Sequence, residues 1–322
     1  MKYLKHIWLF AGAIFILLST EPAAAQAGKL STAFKIKEKD LIPEGITYDS
    51  VKKIFYVSSI HKHKVVTSTI NGISADFTPS GTGGLYCALG MKTDAFRRIL
   101  WVCSYAGPEF GSQKGFAAVF KYNMDSGRLI KKYMVDNKKG NHLFNDIAVT
   151  ADGDAYFTDT ETGAVFKINH LRDRIEPFLR EGSLRQPNGI ALSPDGTSLF
   201  IADSAGISIA RLNGDVKRMK TENKIFAGGI DGLYYYKGSL IGIQNDVEPI
   251  KIVRLKMNNE LDAIENMEIL SVNNPLVSIP TTGVIAGNKF YFIANSQLDL
   301  LKNGKITDYS KLEDVSILCL EL

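Results

Sequence analysis

The chain has 322 residues, 45% of them hydrophobic and 22% charged, with 38 Lys and Arg against 34 Asp and Glu for a formal charge of +4. The charges are mixed along the sequence, with no basic block beyond pairs such as Lys138-Lys139, which excludes a nucleic-acid partner. Three cysteines without a CxxC motif or clustered histidines exclude a zinc centre.

In chain order, residues 1–25 read as a signal peptide. Lys2 and Lys5 give a basic start, Ile7 to Leu18 an apolar stretch of about twelve residues, and Ala23-Ala24-Ala25 a small-residue cleavage site. The apolar stretch is too short to span a bilayer, and no Cys near the cut offers a lipid anchor. The expectation is an exported protein, periplasmic or extracellular, with no membrane anchor after cleavage. Residues 29–322 are expected to form one propeller domain and a monomer.

The mature chain opens on KLSTAFKIK, which reads as a strand. Six related hairpins follow. EGITYDSVKKIFYVSS opens at Glu44 and closes at Ser59, and LGMKTDAFRRILWVCS opens at Leu89 and closes at Ser104. NDIAVTADGDAYFTDT runs from Asn145 to a closing Asp159, and NGIALSPDGTSLFIADS from Asn188 to a closing Asp203. DGLYYYKGSLIGIQN runs from Asp231 to Asn245, and TGVIAGNKFYFIANS from Thr282 to Asn295. Residues 258–268 form the one weakly helix-friendly stretch, and DVSILCLEL ends the chain as another strand. Hairpins spaced by about 43 to about 56 residues are the mark of four-stranded propeller blades. The fold class is therefore all-β, a six-bladed β-propeller closed by pairing of the N- and C-terminal strands, which leaves no free edge. Cys87 and Cys103 share the second unit; buried thiols are expected, with a disulfide between these two as the alternative.

In a blade the innermost strand follows the axis, so the six opening residues ring the axis on one face of the disc. Four of them, Glu44, Asn145, Asn188 and Asp231, offer oxygen ligands with two negative charges. Oxygens without thiols suit a hard divalent cation, and calcium accepts irregular cages best. A lone Asn at a strand start usually ties down a turn. Four in register around one axis favour a metal, because two carboxylates would otherwise repel each other in a dry tunnel. The closing residues Asp159, Asp203, Asn245 and Asn295 repeat so regularly that they are read as loop anchors, with Asn245 the exception as a residue near substrate.

PEG at 43–45, FND at 144–146, PNGIALSPDG at 187–196 and IDG at 230–232 resemble the senescence marker protein/gluconolactonase/luciferin-regenerating enzyme family. The resemblance implies a six-bladed propeller with one axial divalent cation and hydrolysis of lactones, esters or phosphotriesters. Position by position it makes Glu44, Asn145, Asn188 and Asp231 the metal ligands and Asp231 the base or nucleophile. The family's sugar-lactone members carry an Arg two residues before the Asn of the ND motif, and this chain has Leu143 there. That departure points to a substrate less polar than a sugar lactone. EGI in place of EGP alters only the turn.

Mechanistically, the cation polarises a substrate oxygen while Asp231 activates water or attacks directly. His142, three residues before Asn145, is the candidate proton shuttle, and His61 and His63 return to the same face. His61, Tyr105 and Asn245 are expected to contact a small-molecule substrate, with Glu109 and Phe110 as a wall beside Tyr105. The alternative is a non-catalytic binding or sensing module in which the ion plugs the tunnel.

Overall fold

A computed structural model describes residues 30–112, 115–135, 142–222 and 224–322. The expected signal peptide lies outside these. Six antiparallel sheets surround one axis. Blade one is built from Pro43–Asp49, Ile54–Ser59, Lys64–Ser68 and Ser74–Asp76, and blade two from Cys87–Asp94, Ile99–Ala106, Phe116–Asn123 and Leu129–Met134. Blade three holds Phe144–Val149, Ala155–Asp159, Ala164–Asn169 and Arg174–Leu179, and blade four Ile190–Leu192, Ser198–Asp203, Gly206–Arg211 and Val216–Arg218. Blade five runs Ile230–Tyr236, Ser239–Gln244, Lys251–Met257 and Ala263–Val272, with Lys220–Thr221 added in parallel at its outer edge.

Blade six closes the ring. Gly283–Ala286 and Lys289–Ile293 pair onward to Val315–Glu321, which takes Ser31–Ile36 as the outermost strand. The expected closure of first strand on last is thus present. Residues 258–268 are not helical: Ala263–Val272 pairs along Lys251–Met257 instead. Ladder hydrogen bonds and the burial of Ile264 and Leu270 outweigh a weak local helical preference. Among the described residues, only short 3-10 turns are helical.

Strand alternation directs aliphatic and aromatic side chains into the seams between blades. Phe144, Phe157 and Phe166 fill the seam between blades two and three, while Phe290 and Phe292 serve blades five and six. The three cysteines are buried thiols. Cys87 lies opposite Tyr105 and Cys103 opposite Val119, so strand register keeps the two apart.

The blades meet at the axis through a repeated device. In blades one, two, three and five the inner strand shifts register at its opening residue, between Pro43 and Ile46, Ala88 and Met91, Phe144 and Ile147, and Ile230 and Leu233. The next residue is Gly45, Gly90, Gly189, Gly232 or Gly283 in five blades and Asp146 in the sixth. A Cβ on Gly90 would lie 2.5 Å from the Asn145 carbonyl oxygen and 2.8 Å from the Asp146 Cα. At the glycine positions a side chain would block this approach; in blade three Asp146 occupies the place instead.

Candidate functional site

Glu44, Asn145, Asn188 and Asp231 stand at the start of the inner strands of blades one, three, four and five; Asn188 and Asp231 line one pocket, and the Asp231 charge reaches Glu44. Glu44 is 6% exposed and Asp231 9%. Oε2 of Glu44 and Oδ1 of Asn188 are buried and have no hydrogen-bond partner. Orphaned buried oxygens cost several kcal/mol in a protein interior and call for an explanation such as a cation. The Asn145 Nδ2 donates to Thr160 Oγ1 at 3.0 Å, which commits the nitrogen and leaves the amide oxygen as the free end. Asp231 Oδ2 accepts from Asn245 Nδ2 at 2.7 Å, and the same nitrogen reaches the Pro280 carbonyl at 2.7 Å.

The electrostatics are those of an uncompensated cage. Burial, then the charges of Asp231 and Asp146, push the Glu44 carboxyl well above its usual range. Burial raises Asp231 to about 7 against the pull of Asn245, with Asp146 adding repulsion. Asp146 itself is raised to about 6 by burial, although the Ile147 and Ile190 amides and the Lys92 charge hold it down. These are oxygen donors in the number and charge that a hard divalent ion takes, so the residues fit such an ion.

Beside the cage a pocket of about 230 Å³ opens between blades four and five. Its walls include Thr160, Gln186, Asn188, Asp231, Asn245 and Asp246. This wall is polar, unlike the less polar surface that Leu143 in place of Arg suggests; Leu143 does not line it and packs on the seam of blades two and three. Asn245 bonds Asp231 and lines this pocket.

The other expected contacts lie elsewhere. His142 is buried against Phe144 and Phe166, and its Nδ1 meets Asp159 Oδ2 at 2.5 Å. His61 is tied through Nδ1 to the Asp40 carbonyl at 2.9 Å, and His63 stacks on Tyr86 at 3.9 Å. Tyr105 is buried between blades two and three, edge-on to Phe110 and bonded to Glu109, away from the pocket beside Asp231.

The closing residues stitch loops. Asp203 accepts the Arg185, Ala205 and Gly206 amides and a two-pronged contact from Arg218, and Asn295 binds the Ser316 amide at 2.7 Å. Asp159 does likewise for Leu143 and Thr162, but it also orients His142, a second role that the periodicity concealed.

A second group has ligand geometry. Atoms of Asp152, Asp154 and His170 lie within 4.8 Å of one another at the hairpin tips of blade three and could coordinate a divalent ion. Asp154 Oδ1 already takes the His170 amide at 2.8 Å and its Nδ1 at 2.7 Å. Sequence reasoning missed this cluster because its three members come from two separate turns.

Residues 42–242 match the family described as SMP-30/Gluconolactonase/LRE-like region. The chain belongs to this family. Solved structures agree on the fold. A gluconolactonase from Xanthomonas campestris is 15% identical at a TM-score of 0.60, over 92% of this chain and 90% of that one. A virginiamycin B lyase from Staphylococcus aureus is 17% identical at 0.59, over 91% and 99%. A PQQ-bound aldose sugar dehydrogenase from Streptomyces coelicolor is 13% identical at 0.60, over 91% and 98%. Identities this low speak for the propeller and not for one activity, since these neighbours carry three chemistries. No curated protein matches the sequence.

Proposed function

We propose that this protein is an exported hydrolase of a lactone, ester or phosphotriester that holds one divalent cation, calcium in first place, in the axial cage. The observation that carries the reading is the pair of orphaned oxygens, Glu44 Oε2 and Asn188 Oδ1, beside the mutually repelling Glu44 and Asp231 carboxylates. Family membership supports hydrolase-type chemistry. The axial cage is favoured over Asp152, Asp154 and His170 because Asp154 and His170 already bond each other and Asp152 takes the Thr150 hydroxyl.

Glu44, Asn145, Asn188 and Asp231 would hold the cation, and a bound cation supplies a Lewis acid for the substrate's reacting oxygen. Asp231 borders the pocket, where a bound cation would keep its carboxyl ionised to act as base or nucleophile. Asn245 holds one Asp231 oxygen and so fixes which lone pair faces the substrate. His142, held by Asp159 in the seam beside Phe144 and three residues before Asn145, would serve as the proton carrier. The alternation of Asn188, Gln186 and Asp246 around the pocket offers hydrogen bonds to a polar leaving group or ring substituent.

A screen over lactones, aryl esters and phosphotriesters, with calcium and with chelator, tests the reading. Turnover that needs the cation and vanishes in Asp231→Ala is expected. Metal bound tightly with no turnover on any class would leave the ion as a structural plug and the protein as a binding module.

A further inference from the structure

The axis has a second chamber at its opposite mouth. A cavity of about 450 Å³ is lined by the later residues of all six inner strands. Three positions past each opening residue, these strands contribute Thr47, Lys92, Ala148, Ala191, Tyr234 and Ile285. Lys92 comes from blade two and Tyr234 from blade five, so they face each other across a ring of six. The ring of glycines and Asp146 separates this chamber from the oxygen cage.

Two opposite charges share the chamber without closing on each other. Lys92 is exposed within it, and its ammonium makes no hydrogen bond or ion pair among the described residues. Asp146 lines the same space and accepts the Ile147 amide at 2.8 Å and the Ile190 amide at 3.3 Å, one on each oxygen. A carboxylate has about four acceptor sites, so about two remain. The two groups still feel each other's field: the walls withdraw water from Lys92 and lower its pKa, while Asp146 opposes that shift. Tyr234 accepts from the Gly283 amide at 2.6 Å, which leaves its own O–H free to donate. Ala148 and Ala191 are short, and the space they leave is apolar.

A separated cation and anion with a phenol donor beside them match a ligand that carries both charges on one small body. We propose that the far chamber binds a small zwitterion, an α-amino acid with a short apolar side chain. Its carboxylate meets Lys92 and Tyr234, its ammonium meets Asp146, and its side chain lies on Ala148, Ala191 and Ile285. A simple carboxylate would meet Lys92 but face Asp146, and a simple amine the reverse, so each half is the weaker ligand. Occupancy does not depend on the hydrolase reading.

Calorimetry on the full chain, with calcium and again with chelator, would compare L-alanine and L-leucine with propionate and propylamine. Saturable heat is expected from an amino acid in both conditions. Each half-ligand should bind at least about tenfold more weakly, the scale of one lost charge-assisted contact. Lys92→Met should weaken amino-acid binding at least about tenfold, and Lys92→Arg should keep it within about threefold, both at parental Tm. Three results overturn the proposal. One is no saturable heat up to about 10 mM amino acid. The second is propionate binding as well as alanine. The third is undiminished affinity in a folded Lys92→Met, which would leave water alone between the charges.

Discussion

Replacing Asp231 with Asn should stabilise the metal-free protein while weakening its hold on metal. Asp231 and Glu44 are both buried, and burial raises both carboxyls, with the charges of Asp231 and Asp146 adding to Glu44 and those of Asp146 and Asp246 adding to Asp231. A carboxyl whose folded pKa exceeds its unfolded value binds more protons folded than unfolded. Its ionisation therefore costs stability as pH rises from about 4 toward the folded value. For Asp231, moving from 3.8 to about 7, that cost has a ceiling of about 4 kcal/mol. Relaxation and entering water reduce it, so about 1–3 kcal/mol is expected, or several degrees of Tm. Thermal unfolding of chelator-treated protein between pH 5 and 8 reads this directly. The parent should lose Tm across that window, Asp231→Asn should lose less, and the variant should be the more stable at pH 8. Added calcium should reverse the order, because it restores the parent more than a cage with one fewer charge. A metal-free parent with flat Tm from pH 5 to 8, or a variant less stable at pH 8, would refute the uncompensated cage.

Asn188→Ala should lose metal affinity by about tenfold or more with little loss of fold, since its Oδ1 has no protein partner to forfeit; calorimetry with calcium and a melting curve check this. With cation saturating, Asp231→Asn should lose nearly all turnover, whereas His142→Ala should cost about 10²-fold in kcat. Asp159→Asn should reproduce part of the His142 defect and add none in the double variant, because Asp159 acts through the imidazole that it orients. Gly90→Ala, far from any oxygen ligand in sequence, should destabilise by about 2 kcal/mol or more, since its methyl meets the Asn145 carbonyl at 2.5 Å; denaturant melts would show it.

The sequence carried the blades, their number and their closure because hairpins at a fixed period leave a repeated trace. That Glu44, Asn145, Asn188 and Asp231 start their inner strands was legible for the same reason, and Asn188 and Asp231 share one pocket. What repetition could not show was departure from the repeat. Asp146 takes a glycine's place and joins the axial electrostatics, yet in the sequence it is one letter of an ND pair. Asp159 looks like one more loop anchor until His142 is seen bonded to it. Tyr105 and His61 were assigned to the substrate face from loop position alone, and packing between blades two and three withdraws Tyr105 from the pocket. The Asp152, Asp154 and His170 group depends on two turns meeting, which no linear pattern records.

The ring order has a kinetic consequence. Glu44 and Asp231 stand at opposite ends of the ligand set in sequence, but blade six alone separates them in space, and blade six is complete only once the first and last strands have paired. A cation at the axis would thus find its complete cage only after the ring has shut. Added metal should leave the refolding rate nearly unchanged and slow unfolding, as expected of contacts absent from the transition state. Exchange of the ion would then clock the opening of the closing blade.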